Sequence, residues 1–260
     1  MTGRIRVGTA LVAGLLGFVA QAAAQIPGMP LFTNPRYGTG IRVHADIGQP
    51  TEAGTSVGDV TVVQGGVTFA LGPVGIGANV GTSLRRFQAL ASGDTLDYTD
   101  NFTGSAIAQL RLLGGGVNPL SVSVFGGASA DITAIEVVAQ SANVKLPRFM
   151  NFPVGAAAGF HLPLGPLNLN LWGAGRLVFS KYVNCPSTDP VVDGYTITGL
   201  STLCDTTDKN FRWAVGADLP ILGILSLRAA YDSGKVGSGA AKQTVSVWGV
   251  GASIGLGGMR

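Results

Sequence analysis

Residues 151–180 read NFPVGAAAGFHLPLGPLNLNLWGAGRLVFS, and this stretch decides the fold. After Gly165-Pro166, the residues Leu167, Leu169, Leu171, Leu177 and Phe179 fall on one parity, and Asn168, Asn170 and Arg176 on the other. A period of two is the mark of a strand with one apolar and one polar face. Gly and Pro set the dihedrals of a tight reversal, so the strands before and after it form an antiparallel hairpin. Rings mark the ends of its apolar face. Phe152 and Phe179 lie far from the turn, and Phe160 lies close to it.

The same unit repeats in both directions along the chain. Period-two segments are predicted at 40–48, 58–71, 74–85, 103–113, 120–132, 151–163, 167–180, 210–219, 224–232 and 244–256. The connections at Gly72-Pro73, Gly114 to Pro119, Gly165-Pro166 and Pro220 to Gly223 are short. Those near 49–57, 86–102, 133–150, 181–209 and 233–243 are longer and rich in Asp, Ser, Thr and Asn. An even number of strands of roughly ten residues, with tight turns on one side and long loops on the other, is how a barrel that spans a bacterial outer membrane is laid out. The predicted fold class is all-β: a ten-stranded antiparallel transmembrane β-barrel with short periplasmic turns and long extracellular loops.

Residues 1–25 read as a secretory signal peptide and stand outside the fold. Arg4 and Arg6 give a basic start, Val7 to Ala20 is apolar and uncharged, and Ala22-Ala23-Ala24 precedes Gln25. The apolar run is shorter than the ~20 residues of a spanning helix. The barrel domain is then 26–260, with 26–39 as a periplasmic or lumen-threading lead. Without Arg4 and Arg6 the 17 basic residues become 15 against 14 acidic ones, so the net charge of +3 falls to +1. That balance leaves no electrostatic footprint for nucleic acid. Charged residues make up 12% of the chain, Gly contributes 40 of 260, and mean hydropathy is positive. A water-soluble domain of this composition needs a very large core, whereas a barrel needs only an apolar outside. Cys185 and Cys204 fall in one long polar loop and enter an oxidising compartment, where pairing is the default. Closing a loop of that length stabilises by about 3 kcal/mol in the chain-entropy model.

Parity separates two faces on the other strands as well. Ile41, Val43, Ala45 and Ile47 oppose Arg42, His44 and Asp46; Phe211, Trp213, Val215 and Ala217 oppose Arg212 and Asp218. Under this topology Phe102, Phe152, Phe179, Phe211, Trp213 and Tyr231 lie at the loop ends of their strands, on the apolar parity. Phe69 and Phe160 lie toward the turn ends on that same parity. Two belts of rings at two interfaces are what a bilayer selects. The parity of the last strand, with Val245, Val247, Trp248, Val250 and Ile254, is ambiguous. Over 37–256 the chain resembles the small bacterial outer-membrane β-barrel proteins, eight-to-ten-stranded and opacity-like in architecture. That resemblance implies outer-membrane lipid and the barrel-insertion machinery as partners. Such barrels usually finish on an aromatic residue, and this chain departs from them in finishing Leu256-Gly257-Gly258-Met259-Arg260.

The inward parity collects the chemistry: Arg42, Arg85, Arg111, Arg176, Arg212 and Arg228 with Asp46, Asp131, Asp218 and Asp232. Gln64, Asn79, Gln109, Asn168, Asn170, His44 and His161 join them. Unpaired buried ions are very costly, so these groups either form an ion-paired plug or line a narrow wet channel. Small inward residues, Gly75, Gly77, Gly81, Gly155 and Gly159, leave room for the channel, and the excess of Arg would tilt it toward anions. His44 and Asp46 share a face as an acid/base pair would. Omptin-type surface proteases place such a pair at the loop rim, whereas His44 is mid-strand. The expectation is a structural or surface-interaction barrel rather than an enzyme, with no cofactor and no metal. Its apolar-rich loops 133–150 and 181–209 are the expected contacts for a surface ligand.

Overall fold

The computed structural model describes residues 29–52, 60–85, 97–98, 101–115, 118–134, 136–138, 143–164, 167–192, 195–196, 201–221, 224–236 and 243–256. The predicted signal peptide, residues 257–260 and parts of the loops lie outside them. Ten strands close into a barrel: β1 (Gly40–Glu52), β2 (Val60–Leu71), β3 (Val74–Arg85), β4 (Asn101–Gly115), β5 (Asn118–Asp131), β6 (Arg148–Leu164), β7 (Leu167–Val183), β8 (Thr207–Ile221), β9 (Leu225–Val236) and β10 (Gln243–Leu256). Each pairs antiparallel with its neighbours in sequence. β1 closes the ring on β10, from Ile41 opposite Leu256 to Glu52 opposite Val245. Closure satisfies every strand's edge, which is the condition for spanning a bilayer with sheet.

The wall is staggered. Register partners followed once round, from His161 through Asn170, Asp218, Arg228, Gly251, Asp46, Gln64, Gly81, Thr103 and Asp131, lead back to β6 beside Phe149. The path gains about twelve residues toward the loops, roughly one per strand, the shear that tilts barrel strands.

Polarity is inverted relative to a water-soluble domain. Outward side chains are apolar and open, such as Ile47 at 53% and Val250 at 58% exposure, while Arg176 at 1% and Asp232 at 0% are buried inside. The last strand resolves the same way: Trp248, Val250, Ala252 and Ile254 face outward, and Val245, Val247, Gly249 and Ser253 face inward. Its ambiguity has a cause, because Val245 and Val247 meet an apolar layer inside the loop end of the lumen with Val62, Val178 and Val236.

Strands run further toward the loops than the alternation alone indicates. β6 begins at Arg148, β7 ends at Val183, β8 begins at Thr207 and β9 ends at Val236. In these extensions polar residues stand outside and apolar ones such as Phe149, Tyr182 and Val236 inside, so the hydropathy period of the bilayer-facing wall is lost while the ladder continues. Within loop 133–150, Glu136–Val138 and Asn143–Lys145 pair antiparallel, Val137 opposite Val144, and with Asp97–Tyr98 they make a three-stranded sheet separate from the barrel. The short turns behave as their residues dictate; Gly72, at φ 58, takes the left-handed conformation that the reversal at Pro73 needs.

Placing a cation on the lipid face tests the inverted polarity. Val250→Arg, mid-strand, is expected to cost about 2–4 kcal/mol in urea unfolding from lipid vesicles, and Thr51→Arg at the loop end close to zero.

Candidate functional site

The lumen is filled by the chain's own lead. Residues 29–39 run inside the barrel before β1 begins, with Met29, Leu31, Thr33 and Tyr37 buried. At the turn end the Tyr37 hydroxyl donates to the Pro73 carbonyl, and Arg111 donates to the Tyr37 carbonyl at 3.0 Å and to the Gly72 carbonyl at 3.0 Å. Arg36 reaches the Asn118 carbonyl at 2.6 Å, and Gln109 donates to Ser123 at 2.7 Å and to the Asn34 carbonyl at 3.4 Å. Deeper in, Leu31 and Phe32 pack against Phe125, Trp172 and Ile107.

Three wall carboxylates hold this segment. Asp232 accepts from Arg176 at 2.6 Å, from Nε and an Nη of Arg212 at 3.0 and 2.8 Å, and from the Leu31 backbone N–H at 3.2 Å. Asp218 accepts from the Trp172 indole at 2.9 Å and from the Asn34 side chain, with Arg42 and Arg228 close by. Asp46 accepts from Gln64 at 2.8 Å and from both Nε and an Nη of Arg228, whose guanidinium lies 4.3 Å over the Phe32 ring. Charged hydrogen bonds of this kind are the strong ones, and in a buried site they compensate the desolvation of both partners.

Space for the segment comes from glycine. A Cβ at Gly75 would press on the Tyr37 ring, at Gly159 on Pro35 and at Gly249 on Pro30. Gly155 gives room to Phe125 and Arg176, Gly216 to Trp172, and Gly251 to Asp46. The small inward residues that leave room for a channel are therefore occupied in part by the lead and by inward rings.

The remaining predicted positions have definite places. His44 bonds Asn79 at 2.7 Å, and Asn79 donates to Ser105 at 3.0 Å. The His44 Nε2 is 3.8 Å from an Asp46 oxygen that Arg228 and Gln64 already engage, and both residues are buried. His161 bonds Asn170 at 2.8 Å near the turn end. Asn168 keeps the inward parity but is exposed at the rim. The Arg85 side chain lies outside the described residues. Asp131 belongs to a separate knot at the loop end, accepting from Asn101, Thr103 and the Phe149 backbone at 2.9–3.0 Å. Phe125, Trp172 and the lead's Leu31, Phe32 and Tyr37 are lumen residues that parity and polarity did not single out. For Phe125, Trp172 and Tyr37 the one signal was spatial, a wall glycine facing each ring at Gly155, Gly216 and Gly75; Leu31 and Phe32 have no such mark. Among the described residues no group of three or more His, Cys, Asp or Glu is placed to hold a metal.

Outside, Phe102, Phe152, Phe211 and Trp213 are exposed at the loop ends of their strands, with Phe179 and Tyr231 half-buried among them. Trp213, Tyr231 and Trp248 form a ladder with centroids 5.6 and 6.2 Å apart, so Trp248 joins this belt. The Tyr231 hydroxyl donates to Ser246 at 2.8 Å, the polar handle of an interfacial ring. Phe69 and Phe160 are exposed toward the turn ends. A ring-edged apolar wall closed around charges has one solvent it suits. The chain is an outer-membrane-type β-barrel.

No protein-family model and no curated protein matches the barrel's sequence. Solved structures similar to it include the translocator domain of the autotransporter NalP from Neisseria meningitidis, at 15% identity over 85% of this chain and 90% of that one, TM-score 0.48. Neisserial surface protein A is similar at 12% identity over 85% and 100%, TM-score 0.34. The outer membrane protease OmpT from Escherichia coli is similar at 8% identity over 84% and 97%, TM-score 0.40. Strand pairing and inverted polarity, rather than these distant likenesses, identify the barrel.

On the loop side a disulfide joins Cys185 to Cys204, and the Ser201 backbone N–H donates to Asp189 at 2.9 Å within the same loop. Phe149 and Tyr182, both buried at the loop end, hold their rings tilted against each other with centroids 4.9 Å apart.

Asp232 is the sharpest test of the lumen network. Asp232→Ala leaves Arg176 and Arg212 buried without their shared counter-ion. It is expected to destabilise the barrel by about 3–5 kcal/mol, read as a lower unfolding midpoint in detergent.

Proposed function

We propose that this chain is a sealed structural barrel that presents its extracellular loops for surface interaction and does not conduct. The observation that carries this reading is the lumen lead, residues 29–39, bonded to Asp232 and Asp218 and stacked under Arg228. The cavity left between Phe32, His44 and Gln64 is about 50 Å³, space for a few waters and not for a conduit. At the loop end, Met29, Val62, Val178, Val245 and Phe149 are buried apolar side chains that a hydrated ion would have to pass. In a sealed lumen the weak anion preference that an excess of inward Arg suggests would have no passage to act in.

Loops 133–150 and 181–209 are the surfaces this reading assigns to a ligand. The disulfide ties the second loop to itself, and the strand extensions lift both clear of the belts. We read His44 and Asp46 as wall-bracing groups and not as an acid/base pair, because the lead covers them and Arg228 holds the carboxylate.

Planar-bilayer recording of the purified protein tests the seal. The intact chain is expected to show no stable unitary steps, and a form lacking residues 29–39 that keeps its folded gel mobility is expected to show them. Steady ion steps from the intact protein would favour the narrow-pore alternative instead.

A further inference from the structure

Among the described residues, four charged side chains stand on the outward parity of the wall, and all four are cations. They are Arg148 on β6, Lys181 on β7, Lys209 on β8 and Lys235 on β9. Described carboxylates of the barrel strands, Asp46, Asp131, Asp218 and Asp232 among them, take the inward parity. The cations occupy four consecutive strands, each at its loop end.

Register brings them to neighbouring heights. Arg148 pairs with Val183, Lys181 with Thr207 and Lys209 with Phe179, while Arg212 opposite Gly234 sets Lys235 beside Phe211. Each cation thus sits two register positions below its predecessor's partner, and the stagger of roughly one residue per strand restores about half of that. The result is a shallow arc that descends by about one residue per strand, with neighbouring positions about 7–8 Å apart. Phe179, Phe211, Trp213 and Tyr231 lie directly beneath on the same strands. The Lys209 ammonium lies 5.7 Å from the Phe179 centroid, and the Asn184 amide oxygen accepts from Arg148. At the same end of β10 and β1 the outward residues are neutral: Thr244, Ser246 and Thr51.

An interfacial ring belt marks the boundary between hydrocarbon and headgroups, so the arc stands at headgroup level. Cations there attract anionic headgroups, and the low charge of the rest of the wall makes the attraction local to one side. We infer that the arc on β6–β9 binds the phosphorylated headgroup of an outer-leaflet lipid, giving the barrel one lipid-selective flank.

The test uses the full chain in nanodiscs, with native mass spectrometry reading retention of bisphosphorylated lipid A and of its dephosphorylated form. K181Q/K209Q/K235Q is compared with the unmodified chain, and its folding is read separately from unboiled gel mobility. The variant is expected to retain phosphorylated lipid about tenfold less or weaker still, with the dephosphorylated form held equally and weakly by both proteins. Equal retention of the phosphorylated lipid by the folded variant overturns the inference. Should the variant not fold, a salt titration of the unmodified protein decides. Loss of the phosphorylated lipid alone as salt rises supports the arc, and salt-independent retention overturns it. Preference for a soluble acidic polysaccharide over the lipid also overturns it, by putting the arc beyond the leaflet.

Discussion

Asp232 sits at zero exposure in the middle of a tube whose outer wall is hydrocarbon-like, and two guanidiniums and a backbone N–H converge on it. The rest of the lumen depends on that arrangement. A carboxylate buried so deeply is tolerable only with its charge compensated, and compensation here joins β7, β8, β9 and the lead. Asp46 and Asp218 repeat the device nearer the turn end, drawing Arg228, Gln64, Trp172 and Asn34 together. A ten-stranded wall is only a little wider than side chains can fill, and the lead supplies the volume that they do not.

Much of this was legible in the sequence because a bilayer imposes a simple code. Period two fixed the faces of β1, β7 and β8, Gly-Pro pairs fixed the turns, and the rings fixed the two interfaces. Inward Arg and Asp were recognisable from parity alone. Their pairing was not, since Asp46 and Arg228 are 182 residues apart in sequence and meet only after closure brings β1 and β9 to either side of β10. The lead carried two readings for a physical reason. Pro27, Pro30 and Pro35 interrupt any period, so nothing local distinguishes a segment in the periplasm from one inside the barrel. Glycine was misleading in the same way, because an inward Gly marks equally well a gap for water and a socket for Tyr37 or Pro35.

The two faces of the wall solve different electrostatic problems. Inside, each described charge is part of a network, and the protein is its own counter-ion. Outside, the described charges of the wall are few, all basic and all on one flank near the loops, where the proposed counter-charge is a lipid phosphate. The Cys185–Cys204 loop rises from β7 and β8 on that same flank. Lipid contact and loop presentation thus share a side of the barrel.

Accessibility of the lead bears most directly on the filled lumen. Thr33, at 1% exposure, is replaced by Cys and challenged with a small hydrophilic maleimide in intact outer membranes, the native cysteines being held in their disulfide. No labelling is expected until the barrel is unfolded by boiling. Rapid labelling of the folded protein would contradict the filled lumen and put the lead outside the wall.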